Sequence, residues 1–185
     1  MKYKAIDPNI EVSGQTILDT INALGSLKDI GLSFLNENGL TNLNSKGWYP
    51  QQKLLDVFSY ISEKSGGPES LSGVGSAVPE NVKMPSNIND IHGALSMIDV
   101  AYRLNHRLNK KTEGNIGGYH YKFFGEREAE IVCDDPYPCD FDKALIFSMA
   151  KKFKPKDSIS VKIEHDKNKS CREKGDSECH YIISW

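Results

Sequence analysis

The sequence predicts an α+β fold in which N-terminal helices are followed by a mostly antiparallel sheet with helices packed on it. Two observations predict this class. Apolar residues recur at helical spacing through most of the first hundred residues, and from Tyr119 onward short alternating runs replace them, with one helical stretch in between. We expect a single domain over 1–185, with a helical part at 1–66 and an α+β core at 87–185.

Three helices are expected in the N-terminal part. Ser13 is a candidate N-cap for the first, which ends near Gly25. The second ends at Asn38-Gly39, and the third opens with Trp48-Tyr49-Pro50 and ends at Gly66-Gly67-Pro68. Their apolar stripes consist of Ile17, Leu18, Ile21, Leu24, Leu27, Ile30, Leu32, Phe34, Leu35, Leu54, Leu55, Phe58 and Ile61. We expect these helices to form the surface of a homodimer.

The stretch from Glu69 to Pro85 is rich in Gly, Ser and Pro, and it predicts a connector with at most a short helical turn. Asn87, with Asp90 three residues later, resembles a capping box. The helix that follows has apolar residues at helical spacing and is expected to end near Asn109-Lys110. Those apolar residues are Ile91, Leu95, Ile98 and Tyr102.

The C-terminal half predicts strands and one further helix. The strands are expected at 119–124, 128–133, 158–164 and 179–185. Gly125 joins the first two, Pro136-Tyr137-Pro138 breaks the chain, and a helix follows whose last turn carries Lys151-Lys152, where cations suit the helix dipole. Its inward residues are Phe141, Leu145, Ile146 and Met149.

Charge and hydropathy exclude several classes of partner. The formal net charge is −2, so there is no basic footprint for nucleic acid. No apolar run approaches the roughly 20 residues that cross a bilayer, and the N-terminus has no apolar stretch of signal-peptide type. We therefore expect a cytoplasmic protein with reduced thiols and no direct contact with nucleic acid or membrane.

The four cysteines are the most informative residues. Cys133 and Cys139 flank the segment DDPYP, and Cys171 and Cys179 flank a turn-like Lys-Gly-Asp-Ser. If that turn closes a hairpin, Cys171 and Cys179 lie on adjacent strands. Cys139 is predicted at a helix N-terminus, where the dipole favours its thiolate, and four converging thiolates are what a structural Zn²⁺ prefers.

Other interpretations of the cysteines stay open at this point. Cys packs well as a small apolar group, so all four are also consistent with buried thiols or with a redox pair. One thiolate of a zinc site can also be replaced by a neighbouring side chain. The candidates for that replacement are Glu164, His165, Glu178 and His180.

Four stretches together carry a resemblance to a known family. They are the pattern Cys171-x7-Cys179 with a glycine between and an alternating strand after it, Trp48-Tyr49-Pro50, Tyr102-Arg103-Leu104-Asn105-His106-Arg107, and Pro136-Tyr137-Pro138-Cys139-Asp140-Phe141-Asp142. They span about residues 31–185. The chain resembles the 4-vinyl reductase domain family and the related sensor domains of phenol- and xylene-responsive transcriptional activators.

The resemblance implies an α+β fold shared with haem-based nitric oxide sensors and with vesicle-tethering (TRAPP) subunits. It also implies a small-molecule pocket between helices and sheet, and in the phenol-sensing relatives a zinc bound by cysteines that include the tail pair. Carried over, Cys171 and Cys179 are zinc ligands, with Cys139 and Cys133 completing the set. Some relatives have a carboxylate just before the first tail cysteine, where this chain has Asn168 and Lys169, which favours a second upstream cysteine as the fourth ligand.

Five residues are predicted to line the pocket: Trp48, Tyr102, His106, Phe123 and Phe147. Aromatic residues at such spacing also fit a core. His106 is a candidate contact for the ligand or for a haem iron, and it equally fits a surface or capping position. His120, on a predicted strand, is the other candidate for an axial haem ligand.

The function predicted from these features is that of a sensor rather than an enzyme. The sequence has no Gly-x-Gly-x-x-Gly motif and no Gly-x-Ser-x-Gly elbow, and a zinc with four protein ligands leaves no open position for catalysis. We expect a domain that binds a small apolar or aromatic ligand, carries a structural zinc, and signals occupancy to a partner or output domain. The alternatives are a haem-dependent gas or redox sensor and, prompted by the family name, an enzyme that acts on a tetrapyrrole or aromatic substrate.

Overall fold

The computed structural model describes residues 2–64, 67–81, 84–111, 114–166 and 168–185, and it confirms the α+β class. The α-helices are α1 (Gly14–Ala23), α2 (Lys28–Glu37), α3 (Gln51–Lys64), α4 (Gly67–Asn81), α5 (Ile91–Asn105) and α6 (Cys139–Phe153). The strands are β1 (Ile10–Ser13), β2 (Trp48–Pro50), β3 (His106–Leu108), β4 (Tyr119–Gly125), β5 (Glu128–Cys133), β6 (Lys162–His165) and β7 (Cys179–Ser184). No helix in these ranges is long and apolar enough to span a membrane.

The larger sheet has the strand order β4-β5-β7-β6, and every neighbouring pair is antiparallel. This confirms the expected hairpin around Gly125 and the pairing of the last two strands. The third strand begins later than expected, at Lys162 rather than Ser158. Helix α6 contacts β6 and β7, and helix α5 contacts both α6 and β4. The core between them contains Tyr119, Ala129, Ile131, Tyr181 and Ile183, all buried.

A second sheet, with the order β2-β1-β3, was not predicted. Val12 lies opposite Tyr49 on one side and opposite His106 on the other. Trp48–Pro50 is therefore a strand, with α3 starting at Gln51, and the helix expected to reach Asn109-Lys110 ends at Asn105. Strands of three or four residues are too short to show alternation, so pairing with distant residues decides their conformation.

Helix α4 corrects the prediction of a connector at 69–85. Leu71 and Val74 are fully buried, and α4 packs closely against α6. Gly75 makes this possible, since a Cβ there would lie 2.2 Å from the carbonyl oxygen of Phe141. Ser148 also donates a hydrogen bond to the carbonyl of Ser76 at 3.0 Å. Tertiary packing overrides the low helix propensity of this Gly-rich segment.

The helix caps agree with the sequence in one case and differ in another. Ser13 Oγ accepts a hydrogen bond from the Thr16 N–H at 3.2 Å, which confirms Ser13 as the N-cap of α1. For α5 the N-cap is Asp90, whose Oδ1 accepts from the Gly93 N–H at 2.7 Å, and not Asn87. The predicted end of the third helix at Gly66 lies outside the described residues.

Two glycines of α4 provide a matched test of its packing. Gly75→Ala forces a methyl group against the Phe141 carbonyl, whereas Gly73 has nothing within 4 Å of a built Cβ. We expect Gly75→Ala to lower the free energy of unfolding by about 1–3 kcal/mol. Gly73→Ala, which only removes backbone freedom, should raise it by about 0.5–1 kcal/mol. Chemical denaturation measures both, and equal effects of the two variants would contradict the close approach of α4 and α6.

Candidate functional site

A cavity of about 580 Å³ lies among α1, α3, α5 and α6. Its volume falls within the range of about 300–1,000 Å³ usual for small-molecule pockets. The apolar part of the wall includes Leu54, Phe58, Ile98, Phe141, Leu145 and Met149. The inward stripes of α3, α5 and α6 supply these residues, so the cavity is an unfilled part of the same core that the helices share.

One end of the cavity carries a buried imidazole. His106, the first residue of β3, is only 2% exposed. Its Nδ1 lies 2.7 Å from the carbonyl oxygen of Tyr102, which accepts only, so Nδ1 carries the proton. Its Nε2 then accepts from the hydroxyl of Tyr137 at 2.6 Å. Burial outweighs the bond to Tyr102 and lowers the pKa of His106 to about 4, so the ring is neutral at pH 7.

Three tyrosine rings continue this wall, and their hydroxyl protons are all used within the protein. Tyr102 donates to the carbonyl of Ile116 at 2.6 Å. Tyr119 donates to Asp142 Oδ1 at 2.6 Å, and Tyr137 donates to His106. A ligand at this wall therefore meets oxygen lone pairs and ring faces rather than free hydroxyl donors.

The exposed lining residues Gln15 and Leu104 place the mouth of the cavity between α1 and α5. Gln15, Thr16, Asp19 and Thr20 contribute from α1, and Leu104 and Asn105 from the end of α5. The Ser13 hydroxyl donates to Asn105 Oδ1 at 2.9 Å, which ties the start of α1 to the end of α5. Among the described lining residues Asp19 is the only one with a formal charge.

Of the five predicted ligand contacts, the structure places Tyr102 and His106 in the cavity wall. The other three lie outside this wall. Trp48 stacks under the guanidinium of Arg107 at 4.3 Å, and Phe123 is 61% exposed on β4. Phe147 lies two residues after Leu145 on α6, which turns it to another face, toward a shallow groove beside β6.

His120 also lies away from the cavity, since it is exposed and its Nε2 is 2.8 Å from Asp134. Sequence reasoning missed Tyr119 and Tyr137 as wall residues. Tyr119 starts a predicted strand and Tyr137 lies between two prolines. Neither position has a periodic signal that separates a pocket wall from ordinary core.

Three of the four cysteines converge. The Sγ atoms of Cys139, Cys171 and Cys179 all lie within 4.8 Å of one another, and all three residues are buried. Cys139 Sγ is 3.3 Å from Cys179 Sγ, which is 4.0 Å from Cys171 Sγ. A hydrogen bond from the Cys139 thiol, together with Arg172, lowers the pKa of Cys179 to about 4. The same hydrogen bond raises the pKa of Cys139, so Cys139 keeps its proton. The arrangement therefore favours a thiolate at Cys179.

The fourth cysteine belongs to a different group. Cys133 pairs with Cys179 in the β5–β7 register, but its Sγ clusters with carboxylate oxygens of Asp135 and Asp142. Cys171 also differs from the expected hairpin, because it precedes a 3-10 turn at Arg172–Lys174 instead of lying on a strand. None of Glu164, His165, Glu178 and His180 joins the three-thiol group among the described residues.

Arg172 connects the thiols to two buried carboxylates. Its guanidinium pairs with Asp135 and Asp142, which are both fully buried, and its Nε–H points at Cys179 Sγ at 3.4 Å. Burial raises the pKa of both aspartates, although Arg172 opposes that effect. The Asp135 and Asp142 charges more than offset burial of Arg172 and raise its pKa. The guanidinium is thus a permanent cation inside the fold.

The same two carboxylates reach the cavity wall. Asp142 accepts a hydrogen bond from the Tyr119 hydroxyl, and Asp135 accepts one from the Tyr137 N–H at 2.8 Å. Both tyrosines line the cavity. A continuous set of hydrogen bonds therefore runs from the three thiols through Arg172 to the aromatic wall.

No family model and no curated protein matches the chain. Solved structures do. An H-NOX protein from S. oneidensis in the Fe(II)NO ligation state shares 16% identity with a TM-score of 0.66, covering 93% of this chain and 98% of that one. An oxygen-binding H-NOX domain related to soluble guanylate cyclases, in its oxygen complex, shares 19% identity with a TM-score of 0.67, covering 93% and 94%. A structure that probes haem distortion in the H-NOX family shares 18% with a TM-score of 0.66, covering 92% and 93%.

At these identities the comparisons establish a common fold. They confirm the expectation that the chain shares its fold with haem-based nitric oxide sensors. The resemblance to the 4-vinyl reductase domain family stays a prediction, as does the zinc that it implies.

Proposed function

We propose that this chain is a sensor domain that binds an apolar small molecule in the cavity among α1, α3, α5 and α6. The observation that carries the proposal is the cavity itself, about 580 Å³ of mostly apolar space with a buried, neutral His106 at one end. The fold shared with H-NOX sensor domains supports a role in sensing. No residue of the wall is assigned a catalytic role.

Occupancy of the cavity would be transmitted through its mouth. Helix α5 continues directly into β3, which pairs with β1, and β1 leads into α1. The Ser13–Asn105 hydrogen bond closes this loop of elements. A ligand that separates α1 from α5 would shift the helical N-terminal part, and we propose that a partner or a second copy of the chain contacts that part.

Haem is a second candidate ligand, supported by the shared fold and by His106. An imidazole whose Nδ1–H is held by a backbone carbonyl is oriented as metal-ligating histidines usually are. Two features do not fit. The Nε2 lone pair is already used by Tyr137, and the described lining residues include no Lys or Arg to face the two haem carboxylates. We therefore favour an apolar ligand other than haem.

A haem titration separates the two candidates. We expect that adding haem to the purified protein gives no shift of the Soret band beyond that of free haem, because Tyr137 and the acidic mouth oppose binding. The matched control is His106→Ala, which should give the same spectrum. A shifted Soret band in the natural protein that His106→Ala abolishes would make haem the ligand.

Blocking the cavity tests the main proposal. Met97 lines the cavity on α5, whereas Val100 on the same helix is 44% exposed and outside the wall. We expect the protein to bind the neutral apolar dye Nile red. Met97→Trp, which fills part of the cavity, should weaken binding about tenfold or more because the dye loses apolar burial. Fluorescence titration measures this, with Val100→Trp as the control that should bind normally. No dye binding by the natural protein would sink the proposal.

We further propose that Cys139, Cys171 and Cys179 bind a structural zinc ion. The S–S separations of 3.3 and 4.0 Å bracket the roughly 3.8 Å edge of a tetrahedron with Zn–S bonds of about 2.3 Å. A zinc ion held there would cross-link the Cys171–Cys179 turn to the start of α6. The geometry leaves Cys133 outside this group, so its place as fourth ligand stays a prediction.

Elemental analysis of protein purified without chelator tests the zinc proposal. We expect about one equivalent of zinc in the natural protein. Each of the variants Cys139→Ser, Cys171→Ser and Cys179→Ser should lose the zinc, because each removes one of the three thiolate ligands. Cys133→Ser should retain it. Loss of zinc in Cys133→Ser as well would make Cys133 the fourth ligand. Absence of zinc from the natural protein would mean that the thiols are buried or redox-active instead.

A further inference from the structure

We propose that the cavity selects an amphipathic amine, with its apolar tail among the core residues and its ammonium group at the mouth beside Asp19. This inference rests on the proposed function, because it names the chemical class of ligand for the same cavity. It makes Asp19 a specificity-determining residue.

The mouth has one formal negative charge among neutral polar side chains. Asp19 is partly buried and is the only formally charged residue among the described lining residues. Its Oδ1 accepts from Gln15 Nε2 at 2.8 Å, and Gln15 is a neutral amide that supplies no compensating cation. A carboxylate that is hydrogen-bonded but not ion-paired keeps its attraction for a cation and its repulsion for an anion.

The interior gives an anion no alternative place. The hydroxyl protons of Tyr102, Tyr119 and Tyr137 and the Nδ1 proton of His106 are all donated within the protein. These four groups therefore present only acceptor lone pairs and ring faces to the cavity. A carboxylate, which only accepts, would have to be buried there without a donor, and that is costly.

The rest of the wall suits an unbranched or aromatic tail. Phe58, Phe141, Leu145 and Met149 come from α3 and α6, whereas Asp19 is on α1. The tail of an amphipathic ligand would replace water against these side chains, and its head would remain where water still reaches Asp19. The head group therefore loses little hydration on binding.

A matched series tests the inference. Decylamine, decanol and decanoate each have an unbranched chain of ten carbons and differ in the head group, which is a cation, neutral or an anion at pH 7. Each is measured by its displacement of bound Nile red at low salt. We expect the amine to bind at least about tenfold more tightly than the carboxylate, with the alcohol between them. Raising the salt concentration should narrow this range because the mouth is open to solvent.

Asp19→Asn removes the charge and keeps a side chain that accepts from Gln15. It should reduce the amine-to-carboxylate ratio to within about threefold, whereas Asp29→Asn, at an exposed acid on α2, should leave the ratio unchanged. Equal binding of amine and carboxylate by the natural protein overturns the inference while the proposed function stands. A ratio that Asp19→Asn does not change also overturns it. If none of the three displaces bound Nile red, the inference fails and the proposed function stands. If Nile red itself does not bind, the proposed function fails as well.

Discussion

The rest of the structure depends on one buried cation. Arg172 lies in a short turn near the end of the chain, yet its guanidinium is enclosed between Asp135, in the connection after β5, and Asp142, in the first turn of α6. Its Nε–H and its backbone N–H both face Cys179 on β7. Removing one partner of such a buried pair typically costs about 3–5 kcal/mol because the other charge is left uncompensated. The connection between β5 and α6, the first turn of α6 and the turn before β7 are thereby held at one point.

This constraint explains how a cavity persists inside a close-packed core. The tyrosine rings of the wall are fixed at their far ends, because the Tyr119 hydroxyl donates to Asp142 and the Tyr137 hydroxyl donates to His106. The backbone of Tyr137 is fixed as well, by the hydrogen bond from its N–H to Asp135. Rings held in this way cannot rotate into the cavity to fill it, and α4, packed through Gly75, keeps α6 in place from the other side. The fold is shared with H-NOX domains, and this chain's own lining residues set the chemistry of the cavity.

The amphipathic helices, the Ser13 cap and the β4–β5 hairpin followed from the sequence because each rests on local periodicity or on a nearby side chain. Helix α4 and the small sheet did not, since Gly75 and Val12 adopt their structure through contacts with Phe141 and His106 that are far away in the chain. The prediction of the site residues was limited in the same way, because contacts between residues far apart in the chain decide which side chains line the cavity.

Tyr102 and His106 could be predicted as pocket residues because they lie at the end of a recognisable helix. Phe147 could not be assigned to a face of α6 before the helices that pack on α6 were known. The resemblance implied that all four cysteines converge, whereas the structure brings three together and places the Cys133 Sγ beside Asp135 and Asp142.

The loop between β5 and α6 contains one amide hydrogen whose exchange rate would report on the buried ionic cluster. Pro136 and Pro138 have no amide hydrogen, so Tyr137 carries the only one in this tripeptide. That hydrogen is donated to Asp135 in the ionic cluster, while the hydroxyl of the same residue reaches His106 at the cavity. Its exchange with solvent deuterium would therefore require the buried cluster to open. The exchange rate of the Tyr137 amide hydrogen thus reports on the residue that connects the ionic cluster around Arg172 with the cavity, without any substitution in the protein.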